Sequence, residues 1–217
     1  MKGDVLVVEQ QHRRAAAEIA QAVERALAHE DRPYVVALAG ESGCGKSEMA
    51  SALADRLLEA GFRSVILGQD DYFVLPPRSN DARRRADPDW LGPHVEVRMD
   101  ILQANVDAVR DGATAIEKPV VDYDGDAVSR EMLNLDGVRV VIVEGTYVSL
   151  LRHVDCRVFI DRSHIETLEH RRKRNRGGEA RDPFVESLLA TEHKIIAGHR
   201  QLADFVVSRD FGVVPVD

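Results

Sequence analysis

Residues 33–47 read P-Y-V-V-A-L-A-G-E-S-G-C-G-K-S and constrain the chain more than any other stretch. The run Val35 to Ala39 is apolar, rich in β-branched residues, and closes on Gly40. That is the composition of a strand buried on both faces in a parallel sheet. Gly40 to Ser47 then match G-x-x-x-x-G-K-[ST] in full, the pattern of a loop that cradles phosphate. Each position has a physical reason. Gly40, Gly43 and Gly45 permit backbone angles that aim successive N–H groups inward at an anion. Lys46 is expected to face solvent and reach the β- and γ-phosphates, and Ser47 offers its hydroxyl to Mg²⁺. The helix that opens at Lys46 points its positive end at the same place. The whole stretch Gly40, Glu41, Ser42, Gly43, Cys44, Gly45, Lys46, Ser47 and Glu48 is therefore assigned to nucleotide binding. A preceding strand and a following helix separate this match from a chance glycine-rich turn.

The rest of the chain alternates strand and helix signals. Residues 12–29 carry Ile19, Val23 and Leu27 every fourth position, a helix ended by Pro33. Lys46 to Ala60 repeats at helical period and stops at Gly61. Arg63 to Leu67, Val138 to Val143, Arg157 to Ile160 and Ala203 to Val207 read as further strands. Asp100 to Arg110, Ser163 to Arg174 and Pro183 to Gln201 read as helices. No internal repeat or low-complexity tract interrupts the pattern. Such alternation predicts βαβ units: an α/β fold with an open, mostly parallel sheet and helices on both faces. One domain over 1–217 is expected, with an N-terminal helical extension to about residue 32. Tyr72 to Ala86 fits neither period, carries Pro76-Pro77 and Arg83-Arg84-Arg85, and reads as a functional loop.

Composition excludes several function classes. At 44% hydrophobic and 30% charged, the 217 residues have a soluble globular profile. The longest apolar runs are about five residues against the twenty or so of a membrane span, so no membrane role is expected. The N-terminus carries Asp4 and Glu9 and too short an apolar stretch for a secretory signal. Twenty-nine basic against thirty-seven acidic residues give −8, a poor balance for nucleic acid, whose binding runs on phosphate neutralisation. Cys44 and Cys156 have no metal spacing and read as reduced thiols, which fits a cytoplasmic location. A homo-oligomer is left open.

In an open α/β sheet, ligands bind beyond the carboxyl ends of the strands. After the strand 63–67 comes Gly68-Gln69-Asp70-Asp71-Tyr72-Phe73, and after 138–143 comes Glu144-Gly145-Thr146-Tyr147. Separate strands thus deliver Asp70, Asp71 and Glu144 to the edge that holds the phosphates. Acids there either bind a metal or take a proton from an acceptor hydroxyl, and phosphoryl transfer needs both. Asp71 fits a helix cap or solvated turn equally well.

From about residue 34 to 207 the chain resembles the uridine kinase and phosphoribulokinase group of P-loop kinases. The resemblance rests on G-E-S-G-C-G-K-S, Q-D-D-Y-F, P-D-W, P-V-V-D-Y, V-V-I-V-E-G, V-F-I-D with an arginine-rich helix, and L-A-D-F-V-V, in that order. It implies a nucleoside-kinase-like three-layer fold, ATP and Mg²⁺ as cofactors, and a small-molecule hydroxyl substrate. It further implies that Asp70 is the catalytic base beside Mg²⁺ and that Ser47, Asp70 and Glu144 hold the metal. Phe73 would line the acceptor pocket, Asp122 and Tyr123 would match the substrate loop, and Arg130 would close it. Arg171 and Arg174 would act with Lys46 on the transferring phosphate from a lid at about 162–182; three apart, they share a helix face.

The chain departs from the group's pattern where the acceptor is chosen. Val121 stands where nucleoside kinases place an aromatic on the base. Asp87 and Asp89 are both candidates for the acceptor hydroxyls, and Trp90 beside them could stack on a ring or serve as local core. Arg83-Arg84-Arg85 could read an anionic group on the acceptor. Kinase chemistry is therefore better supported than uridine as acceptor, and the residues do not choose between ATP and GTP. A nucleotide-binding switch without an acceptor is the alternative. Asp122-Tyr123-Asp124-Gly125 satisfies D-x-x-G, but no long apolar strand is read before it and no N-K-x-D sequence occurs.

Overall fold

The structure, a computed structural model, describes residues 6–163, 165–167 and 182–216. A six-stranded sheet runs in the order β2-β5-β1-β6-β7-β8, with β1 Tyr34–Gly40, β2 Ser64–Gly68, β5 Val140–Gly145, β6 Cys156–Ile160, β7 Phe205–Val207 and β8 Val213–Pro215. All pairings are parallel except β7 with β8. Strands β3 Ala115–Asp122 and β4 Ala127–Asn134 form a separate antiparallel hairpin. Five helices are described: α1 Gln10–Leu27, α2 Lys46–Glu59, α3 Pro77–Ala86, α4 Met99–Arg110 and α5 Pro183–Ile196.

The two-residue alternation of a strand explains the three layers. On β1, Val36 and Leu38 face one side, joined there by Val140, Ile142, Val158 and Ile160 and covered by α1 and α2. Val35, Ala37 and Ala39 face the other side with Val141 and Val143, against Leu102, Val106 and Val109 of α4. Both faces are buried, so β1, and β5 as far as Val143, are apolar throughout. Helix α1 supplies Ala15, Ala16, Ile19, Ala20, Val23 and Leu27 to the first side. It starts on Glu9, whose N–H donates to His12 Nδ1 at 2.9 Å.

The α/β class with a mostly parallel sheet agrees with the sequence reading, and three local expectations are corrected. Tyr72 to Ala86 is not one loop, because α3 occupies Pro77–Ala86. Pro77 sits at its first helical position, where a missing N–H costs nothing. Only Asn80 of this helix is buried, so no apolar stripe marks it in the sequence. The β3–β4 hairpin and β8 add strands that periodicity did not separate. The last long helix ends at Ile196, and His199–Leu202 is a 3₁₀ turn.

Candidate active site

The carboxyl ends of β1, β2 and β5 meet at one edge. The register sets Leu38 of β1 and Gly68 of β2 both opposite Glu144. The phosphate loop leaves β1 at Gly40 and enters α2 at Lys46. Gly45, just before the helix, has φ +101°, a left-handed angle that side chains resist. A Cβ there would also lie 3.0 Å from His12 Nε2 of α1. Lys46 is half-buried rather than solvent-facing, and its Nζ donates to the Glu41 carbonyl at 2.9 Å. Burial draws its ammonium down, but Cys44, Glu144, Glu192 and Asp70 outweigh this and hold it above the ordinary lysine value. Burial pushes the Cys44 thiol up to about 11, so it is neutral near pH 7. Cys44 and Cys156 are both buried free thiols.

Ser47 Oγ donates to Glu144 Oε1 at 3.2 Å, which joins the loop to the end of β5. Glu144 is pushed up to about 7, first by burial and then by the charge of Asp70, against the pull of Lys46 and Ser47. Asp70 lies in a 3₁₀ turn, Gln69–Tyr72, directly after β2. The two strand ends are locked by close approach. A Cβ on Gly145 would fall 2.3 Å from Gln69 Cβ, and Gln69 Oε1 accepts the Tyr147 N–H at 2.7 Å. Asp71 turns the opposite way. It is buried, and its carboxylate accepts Lys118 Nζ at 2.9 Å and the Val121 N–H at 3.0 Å, both from β3.

Phe73 comes directly after the turn, half-buried, with the Arg84 guanidinium 5.5 Å above its ring. Asp87 accepts the Asp89 N–H at 3.2 Å and Arg83 at 2.8 Å, while Asp89 itself is exposed. Trp90 donates its indole N–H to Asn80 Oδ1 at 2.8 Å, and Arg83 lies 5.1 Å over its ring. The arginine triplet is paired throughout. Arg83 holds Asp87, Arg84 holds Glu96, and Arg85 bridges Asp81 and Asp182. Asp122 accepts the Gly125 N–H at 2.9 Å in the β3–β4 turn, with Tyr123 beside it. The D-x-x-G match is therefore a hairpin turn after an eight-residue strand. Arg130, on exposed β4, donates to Glu117 at 2.8 Å within its own hairpin. Arg171 and Arg174, most of the lid expected at about 162–182 and most of the helix expected over Ser163 to Arg174 lie outside the described residues.

Two acids escaped the sequence reading. Glu96 is fully buried and takes Arg84 Nε at 2.7 Å, Asn80 Nδ2 at 3.2 Å and the Gly92 N–H at 3.2 Å. Glu192 of α5 accepts the Ser42 N–H at 2.8 Å and the Ser42 hydroxyl at 2.9 Å. Neither belongs to a local motif. Glu96 stands in the unremarkable run His94-Val95-Glu96-Val97, and the Glu192 partner is 150 residues away.

Comparison with known proteins agrees with the fold. The model of the Phosphoribulokinase / Uridine kinase family matches residues 35–207. The bifunctional alpha-galactosidase/sucrose kinase AgaSK of Mediterraneibacter gnavus is 30% identical over 190 residues, covering 82% of this chain but 20% of that protein. The uridine kinase of Oceanobacillus iheyensis is 22% identical over 186 residues, covering 81% of this chain and 86% of its own. Among solved structures, D-glycerate 3-kinase from Cryptococcus neoformans superposes with a TM-score of 0.63 at 16% identity, covering 93% of this chain and 99% of that one. At that identity the likeness speaks for the fold.

Proposed function

The chain belongs to the phosphoribulokinase/uridine kinase family and is a small-metabolite kinase, and from that premise we propose that it moves the γ-phosphate of ATP to a sugar or polyol hydroxyl. The observation that carries the chemistry is the meeting of three strand ends. Phosphate loop, Asp70 and Glu144 converge there, and Ser47 bonds Glu144.

Loop amides and the α2 N-terminus hold the phosphates, and Lys46 offers its charge to the transferring group. Asp70 accepts the proton of the attacking hydroxyl. Ser47, Glu144 and Asp70 would hold Mg²⁺, which when bound neutralises charge on the β- and γ-oxygens. The site fits that ion. Two carboxylates and a hydroxyl leave coordination positions for phosphate and water oxygens. The raised Glu144 also marks a crowded pair of acids that a divalent cation would relieve. Arg171 and Arg174 complete the charge clamp in this reading.

Three observations favour a neutral polyhydroxyl acceptor over uridine or an anionic one. Val121 is fully buried and donates its N–H to Asp71, so it offers no ring to a base. Every arginine of the triplet already has a carboxylate, which leaves none of the three free for an anionic acceptor. The more similar of the two relatives named is the sucrose kinase. The test is purified protein with Mg-ATP against sugars, polyols and uridine, reading ADP release. A sugar or polyol should outpace uridine. A uridine kcat/KM of about 10⁵ M⁻¹s⁻¹ or more, above every sugar, would overturn the acceptor and keep the kinase.

A further inference from the structure

We infer that Glu192 is an internal counter-anion of the phosphate loop: a positioning residue that competes with nucleotide phosphates for Ser42 and so couples loading of the loop to helix α5. The inference rests on the kinase reading above. Glu192 is 6% exposed, and both its oxygens are spent on one residue, at 2.8 Å to the Ser42 N–H and 2.9 Å to the Ser42 hydroxyl. An amide and a hydroxyl converging on one anion is how such loops hold phosphate. Here the anion comes from the protein. Burial pushes the Glu192 carboxyl up, against the pull of Lys46, of the two Ser42 hydrogen bonds and of Arg84, and the Glu192 charge acts in turn on Lys46. The loop's cation and one of its donor pairs are thus already engaged.

The grip extends over two consecutive residues of each partner. His193 Nδ1 is 2.6 Å from Glu41 Oε1, and the Glu41 carbonyl accepts Lys46 Nζ at 2.9 Å. Anchoring α5 does not require Glu192. Ile196 is buried in the core, Asp182 caps the helix by accepting the Phe184 N–H at 2.9 Å, and Arg85 binds Asp182. A multiply charged phosphate entering the loop meets a buried like charge. To bind there it must take Ser42 from Glu192, and the phosphate binds more weakly than the loop alone would allow.

Glu192→Gln keeps the shape and removes the charge. Calorimetric titration with Mg-ADP and with inorganic tripolyphosphate should show tighter binding of both, by about tenfold for one removed charge at this range. The KM for ATP should fall with it. A brace without electrostatic competition gives the opposite sign, so unchanged or weaker binding by a variant with normal melting overturns the inference. Hydrogen exchange on the wild-type chain decides independently of whether the variant folds. Saturating Mg-ADP should speed exchange in α5 as Glu192 releases Ser42, and unchanged or slower exchange there would refute the competition. Lys46→Ala separates this from the underlying reading. If that variant binds tripolyphosphate like wild type, the phosphate-loop assignment fails whichever way Glu192→Gln moves.

Discussion

Between Asp70 and Asp71 the backbone turns a 3₁₀ corner, and the two carboxylates part company. Asp70 stays half-buried within the field of Glu144 and Lys46, while Asp71 is inserted between Lys118 and the Val121 N–H. Two single substitutions should therefore fail in different ways. Asp70→Asn is nearly isosteric but cannot accept the hydroxyl proton. Its kcat should fall by about two to four orders of magnitude, with melting temperature kept. Asp71→Asn leaves the Lys118 ammonium, whose side chain is 7% exposed, with the half-exposed Glu131 at 3.2 Å as its remaining carboxylate. It should cost about 2 kcal/mol of stability, below the range for a buried charge left with no partner, while turnover per folded molecule stays near normal. Parallel turnover assays and denaturant melts check both. If Asp71→Asn loses turnover and Asp70→Asn only stability, the proton acceptor has been assigned to the wrong neighbour.

At the scale of elements, Asp155 ties three of them together just before β6. Its carboxylate takes Arg32 at 2.8 and 2.9 Å, the Val35 N–H at 2.9 Å and Arg110 at 3.1 Å. Burial alone would raise this acid, but the Arg32 hydrogen bonds, the Val35 N–H and the Arg110 charge outweigh it and hold it below the usual range. A depressed folded pKa gives stability that is fully present above the unfolded value of about 3.9 and is lost as pH falls through the folded one. Asp155→Asn should thus cost about 2 kcal/mol at pH 7, with partly exposed arginines keeping it below the buried-pair range. The gap from wild type should narrow below about pH 4, and urea midpoints at pH 7 and pH 3 would show it. A gap that stays constant would mean Asp155 acts by shape alone.

The parallel strands around this clamp were legible in the sequence because both their faces are buried, which leaves unbroken apolar runs. The hairpin was not. Strand β4 is exposed along nearly its whole length, so A-V-S-R-E-M-L-N carries no clean alternation. Helix α3 was hidden for a related reason, since it buries one asparagine and turns three arginines to carboxylates. The site obeyed the same rule. Loop, Asp70 and Glu144 were readable from the residues immediately after each strand, whereas Glu96 and Glu192 are defined by partners that only tertiary folding brings near.

For the molecule as a whole, a net charge of −8 and a loop where Lys46 faces Asp70, Glu144 and Glu192 make anion binding depend on cations. ADP without Mg²⁺ should bind at least about tenfold more weakly than Mg-ADP, one uncompensated charge step at this range. Titration with and without a chelator measures it, and equal affinities would argue against Ser47, Asp70 and Glu144 as the metal's holders. A different whole-molecule consequence comes from helix α1, which lies before the family-matched residues 35–207 yet buries Ile19, Val23 and Leu27 in the core. Its His12 packs 4.8 Å from Phe211, and its Arg14 donates to the Asp210 carbonyl at 2.8 Å, both partners lying beyond residue 207. The stretch that defines kinship is therefore smaller than the stretch that folds. A chain cut to residues 32–207 would present the bared flank of α2 to water. It should keep much of its helical signal, lose cooperative melting and bind hydrophobic dyes, as compact states without fixed packing do.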